Sequence, residues 1–486
     1  MTGAVRILIR FDTEDILTPA SDDAACRLAE LLTRHGVRAT FPITAMKVDA
    51  LFQRGRQDVF RALSRHQVGF HSTSHSLHPT IAEELAQLSG AEAAARFRER
   101  EEAGFRRVAD AFGEAPQVYT QPGGNWTAEA IPALAAWGVK LFYSEDWNGY
   151  LDIQGRPMLL AGLHHWAAPV RAPKPFLNRL PGILDEAVAT ARAAIDEAAG
   201  AGQLGLVNVV SHPTELVSER FWDLVPFGGG QNQPEASWES APQRPRQAVE
   251  AALDAFSAWL LSLRQMAEDV EFWTGEDLVA AFPDRAVGLT VKAEAQVALL
   301  RLVSGGRLGS VAVGEATLTA AEVLGVAVQA VRAIQGGTFP RPLPVRSLAP
   351  PWDESEADTG RQADEIPGPV LVEALGQLAS ALDQGQLPAA VAAAGELWSP
   401  LAVAAGGARA ALQVLRAGAL PDRVPLPRVA LTSRRFVKPA EALHWDWPIF
   451  APGFEAPALR RRAEAATWCL KPAEPALADD RIGAGA

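Results

Sequence analysis

From Val5 to about Arg285 the chain alternates short apolar, often β-branched runs with longer stretches whose apolar positions recur at helical spacing. The runs predict strands at Val5–Phe11, Arg38–Ile43, Gln67–His71, Gln117–Gln121, Lys140–Ser144, Leu204–Ser211 and Val270–Trp273. The longer stretches predict helices over Asp22–His35, Gln57–Arg65, Ile81–Phe112, Thr127–Trp137, Gly182–Ala199 and Arg246–Met266. Such alternation implies an α/β fold with a parallel sheet, open or closed into a barrel. Polar residues cluster just after the strands, where parallel folds place their sites. A ring of strands brings those ends together, so the pattern favours a (β/α) barrel.

Past about Asp284 the chain turns Ala-, Leu- and Val-rich, and one unit recurs: an apolar helix, a glycine, then a Leu-Pro or Phe-Pro step. It reads Ala333-Ile334-Gln335-Gly336-Gly337-Thr338-Phe339-Pro340, then Leu382–Pro388 and Leu415–Pro421, with a weaker copy at Leu302–Leu308. Glycine ends a helix and proline just beyond forbids its continuation. The recurrence predicts a second, mainly α-helical repeat domain. The expected division is 1–285, 286–475 and a tail, 476–486, with Ala349–Gly368 as a long acidic loop.

Composition narrows the function. At 486 residues the chain is long for one core. A formal charge of −12 argues against nucleic acid or an anionic membrane as partner. Two cysteines, Cys26 and Cys469, stand too far apart in sequence to suggest a thiolate metal site or a disulfide framework. The opening apolar run is only strand-length, and no apolar stretch approaches the roughly 20 residues of a spanning helix. The expectation is a cytoplasmic protein, with a homo-oligomer compatible with the composition.

Four features at predicted strand ends carry chemistry. Arg10-Phe11-Asp12-Thr13-Glu14-Asp15 crowds three carboxylates, which a nearby cation would make tolerable, although a turn or helix start accounts for them too. Gly69-Phe70-His71-Ser72-Thr73-Ser74-His75 sets two imidazoles at i and i+4, able to grip one divalent ion if the segment turns helical. Ordinary loop histidines would also fit that spacing. Ser144-Glu145-Asp146-Trp147 and Ser211-His212-Pro213 are bland singly.

In order, these features resemble the NodB-type polysaccharide deacetylases, or carbohydrate esterase family four, over about residues 4 to 285. The resemblance implies a deformed (β/α) barrel and a divalent metal, usually zinc. His71 and His75 match the metal-binding H-(S/T)-x-x-H motif, Asp146-Trp147 the Asp-Trp loop, and His212 the terminal catalytic histidine. Where the family has adjacent aspartates this chain has Asp12-Thr13-Glu14-Asp15, similar to a D-x-(D/E) subset. That subset implies Asp12 as base and Glu14 as ligand, with Asp15 as fallback. The third motif appears as Thr120-Gln121-Pro122-Gly123-Gly124, so Thr120 stands where the family places an arginine that holds the base.

The implied function is removal of an acyl group, N-acetyl above all, from a carbohydrate or small acylated substrate. Gln121, Asp146 and Trp147 would bind it, and Trp126 and Tyr143 would join Trp147 as apolar walls. Two other readings stand beside it: hydrolysis of another non-peptide amide, and a metal-retaining but inactive carbohydrate-binding protein. The helical repeats also bear a faint similarity to cell-wall (pseudomurein) binding repeats.

Overall fold

The structure, a computed structural model, describes residues 4–145, 149–153, 155–168, 176–200, 204–266, 269–351, 364–439 and 447–475. Nine strands of the N-terminal part share one sheet. They are β1 (Val5–Phe11), β2 (Thr40–Ile43), β3 (Gln67–Phe70), β4 (Val118–Thr120), β5 (Leu141–Glu145), β6 (Met158–Leu160), β7 (Leu163–Ala168), β8 (Gly205–Ser211) and β9 (Val270–Trp273). The order β6-β7-β5-β4-β3-β2-β1-β8, with β9 also on β1, is parallel except for the β6–β7 hairpin. Helices pack around this curled sheet as a deformed (β/α) barrel.

All seven expected strands form, within a residue or two at each end. β1 shows why: it pairs with three neighbours and is buried throughout, so its sequence is a nearly continuous apolar run. Arg6 and Arg10 interrupt that run, and a charge inside such a strand demands a partner.

Three expectations need correction. The single helix over Ile81–Phe112 is two helices, Ile81–Leu85 and Gly90–Phe112, because Ser89 caps the second reciprocally with Glu92. The β6–β7 hairpin, absent from the expected elements, turns at Ala161-Gly162, both at positive φ. The helix Ala45–Gln53 was likewise unexpected; it starts at Thr44, whose hydroxyl accepts from the Lys47 N–H.

The C-terminal part is largely helical, but its repeat is larger than the glycine stops imply. Helix Ala293–Ser304, hairpin Val311–Val313/Ala316–Leu318 and helix Ala320–Gln335 form one unit. Helix Gly368–Asp383, hairpin Val391–Ala393/Glu396–Trp398 and helix Pro400–Ala417 repeat it. The strand Leu470–Pro472 returns to the N-terminal sheet, antiparallel to β6. Within that strand, buried Lys471 bonds to Asp284 (2.8 Å) and Glu322 (3.0 Å), and upstream of it buried Arg462 pairs with Glu129. No helix among the described residues is long and apolar enough to cross a membrane. The tail 476–486 and most of the acidic loop (352–363) lie outside the described residues.

Candidate metal centre

The C-terminal ends of β1, β3, β4 and β8 deliver the expected residues to one place. Beyond Phe11, Asp12 donates its N–H to the Ser211 carbonyl and Thr13 to that of Pro42, so the acidic turn is stitched between neighbouring strands. Glu14 then points inward. Its Oε2 lies 2.8 Å from His71 Nε2 and 2.8 Å from His75 Nε2, and all three residues are buried. Among the described residues these form the one set of three or more His, Cys, Asp or Glu side chains whose ligand atoms all lie within 4.8 Å of one another.

The histidine segment is not helical. Ser72 (φ 70°) and His75 (φ 52°) adopt the left-handed region, costing on the order of 1–3 kcal/mol each. The surroundings enforce it: the Ser72 hydroxyl accepts from the His75 N–H (3.0 Å), and buried Glu101 accepts from the Thr73 N–H (2.6 Å) and hydroxyl (2.9 Å). Glu101 comes from the helix Gly90–Phe112, and burial raises its pKa.

Hydrogen bonding fixes both rings. His71 Nδ1 lies 3.0 Å from the Thr120 carbonyl, which can only accept, and 2.5 Å from the Thr120 hydroxyl, which can accept too, so a proton on Nδ1 suits both partners. The Ser76 hydroxyl donates to Asp223 (2.5 Å) and therefore accepts from His75 Nδ1 (2.6 Å). In neutral rings both Nε2 lone pairs would thus face the Glu14 carboxylate oxygen. Only a proton or a cation between them relieves that confrontation. Burial pushes the Glu14 carboxyl up, yet the His75 charge and the bonds from both imidazoles outweigh it and hold it well below its usual range. His75 is raised in return: burial lowers it, but Glu14 and Asp223 more than compensate.

Asp12 and His212 sit beside the cluster, with His212 Nε2 4.0 Å from Asp12 Oδ2. His212 donates through Nδ1 to Glu215 Oε1 (3.0 Å), and Glu215 also accepts from the Ser211 hydroxyl and the Phe176 N–H. Burial depresses the His212 pKa, but Glu215, Glu14 and Asp12 carry it up to about 9. Asp12 Oδ1 lies 3.1 Å from Arg10 Nε in a buried ion pair, and the Arg10 guanidinium rests over the Tyr143 ring at 4.7 Å.

Asp15, the fallback ligand, is engaged elsewhere. One of its oxygens accepts from the Leu17 and Thr18 N–H groups (2.9 Å each), and the other from the Thr214 hydroxyl (2.7 Å). The expected aromatic walls are also misplaced. Trp126 is fully buried, bonding to His165 and stacked on Phe142, while Tyr143 lies under Arg10 and donates to Asn208. Both pack where no substrate reaches. Gln121 is buried just past β4 and donates its N–H to the Tyr143 carbonyl. Asp146 and Trp147 lie outside the described residues.

The sequence reading missed Arg10, Glu101, Glu215 and Asp223, as well as Trp222, whose indole N–H donates to Glu14 Oε1 (3.0 Å). Glu215 could have been found three residues after His212, and Arg10 as a charge inside an apolar strand.

Residues 2–142 match the family model described as polysaccharide deacetylase. No curated protein matches the chain. Among solved structures, a putative polysaccharide deacetylase from Mycobacterium smegmatis is 15% identical, covering 58% of this chain and 90% of its own at a TM-score of 0.35. A family 4 carbohydrate esterase from Streptomyces lividans, solved with acetate, is 15% identical over 53% and 88% of the two chains, with a TM-score of 0.28. A CE4 family pseudoenzyme from Bacillus anthracis is 13% identical over 57% and 66%, with a TM-score of 0.30.

Proposed function

Because the N-terminal region of this chain is of the NodB polysaccharide-deacetylase type, we propose that the protein is a metal-dependent hydrolase that removes an acyl group, N-acetyl above all, from a carbohydrate. One observation carries the proposal: two imidazoles, each hydrogen-bonded through Nδ1, converge through Nε2 on the buried Glu14 carboxylate, with Asp12 and His212 alongside. Two neutral nitrogens and one carboxylate oxygen are the donor set of an open divalent site, and zinc suits them. Glu14, His71 and His75 would hold the ion, with Asp223 and Thr120 orienting the two rings. A divalent ion held there supplies Lewis acidity and makes bound water easier to deprotonate.

The remaining chemistry belongs to side chains. Asp12 serves as general base: its Oδ1 faces Arg10, and its Oδ2 is turned toward His212. Arg10 is a positioning residue that supplies, from two residues upstream, the charge the resemblance places at Thr120. His212 enters the reaction as the imidazolium that Glu215 stabilises, and donates its Nε2 proton to the departing amine. In this reading residues 1–285 carry the catalysis, and 286–475 form the helical part ahead of the tail.

The test is acetate release from an N-acetylglucosamine oligosaccharide by the purified full chain. Metal-dependent release supports the proposal. Release from a small amide but no sugar would favour another amide hydrolase, and tight sugar binding without release an inactive binder.

A further inference from the structure

The strand-end site is not walled by the N-terminal part alone. Phe221 lies edge-on to the His212 ring, centroids 4.9 Å apart at 89°. Trp447, more than two hundred residues downstream, lies edge-on to Phe221 at 5.3 Å and 88°. A β-carbon on Gly123, in the loop after β4, would stand 3.9 Å from Trp447 Cδ1 and Nε1, and the Trp447 indole also hydrogen-bonds the buried Asp223 carboxylate. Both aromatic side chains are half-buried. Phe221 also immediately precedes Trp222 and Asp223, which reach Glu14 and, through Ser76, His75.

The segment behind Trp447 is fixed in place. Gly229 and Gly230 donate their N–H groups to the Pro448 (2.8 Å) and Ile449 (2.7 Å) carbonyls, and Ile449 and Phe450 are buried. Gly230 has φ +80°, and a β-carbon there would stand 2.6 Å from Ala451 Cβ, so only glycine permits this approach. An anchored indole loses little freedom on binding a ligand.

We propose that Trp447 is a specificity-determining residue: with Phe221 it forms the wall beside His212 on which one pyranose ring of the substrate stacks. The C–H face of such a ring matches an indole face, while its hydroxyls keep to water. This rests on the hydrolase reading for the direction of the leaving group, though not for binding itself.

The experiment is calorimetric titration of the full chain with N-acetylchitotetraose, accompanied by metal analysis and an acetate assay. Trp447→Ala is expected to weaken binding about tenfold, of the order of one lost aromatic contact. Trp447→Phe should stay within about threefold of the native chain, and both variants should keep the metal. Unchanged affinity in Trp447→Ala, or no binding by the native chain, overturns the inference. So does a Trp447→Phe variant as weak as Trp447→Ala with metal lost from both, which marks a structural role. Trp447-dependent binding without acetate release would instead contradict the hydrolase reading and leave this inference standing.

Discussion

Replacing Arg10 with methionine removes a buried charge 3.1 Å from Asp12 while keeping an unbranched apolar side chain in β1. At an effective dielectric constant of about 20, two unit charges at 3.1 Å attract by about 5 kcal/mol, a gross figure before desolvation. Breaking one side of a buried pair typically costs about 3–5 kcal/mol, because the surviving charge stays buried. Asp12 would retain His212 as a facing cation, but at 4.0 Å and on its other oxygen. We therefore expect urea unfolding to show a loss of about 3 kcal/mol or more. Turnover should fall by about 10²-fold or more as the base loses its orientation. Metal content should hold, since Arg10 acts on Asp12 and Tyr143 and the three ligands are bonded by other groups. Arg10→Lys should fall between, keeping the charge without the planar guanidinium. Native-like stability and turnover in Arg10→Met would refute the reasoning. The Thr120→Arg variant adds a control: the Thr120 hydroxyl and carbonyl contact His71 Nδ1, so an arginine there should lower metal retention rather than raise activity.

Asp12→Asn should keep the metal and lose about 10²–10⁴-fold in turnover, because an amide cannot accept the proton; loss of metal would make Asp12 a ligand. Glu215→Gln removes the anion that most raises the His212 pKa, carried up to about 9 in the native chain. Less stabilised, the imidazolium should lose its proton at lower pH, so the basic limb of the kcat profile should move down; an unmoved limb would mean that His212 is not the acid.

Much of the sheet was legible because strands buried on both faces must be apolar, and β1, β3 and β8 read that way. Glu14, His71, His75, Asp12 and His212 were legible as strand-end residues, since a parallel fold leads its strands toward one rim. What escaped depends on contacts distant in sequence. Glu101 props the histidine loop from 28 residues away, and Trp447 meets Phe221 across 226. The histidine pair was legible by its i, i+4 spacing, but the helix that would put both rings on one face is not what joins them: left-handed turns at Ser72 and His75, held by side-chain bonds, bring the rings together. The aromatic walls misled because Trp and Tyr near a site read alike whether they face substrate or core. Trp126 and Tyr143 have internal partners for their polar ends, which is what burial requires of them.

The central claim is that Glu14, His71 and His75 hold an ion on which acyl hydrolysis depends. Its most direct test is acetate release from N-acetylchitotetraose by the full chain, stripped with chelator and then titrated with Zn²⁺. No release is expected from the stripped protein, with recovery that saturates at one equivalent and none in the His71→Ala/His75→Ala variant. Undiminished release after stripping, or recovery in that double variant, would contradict it.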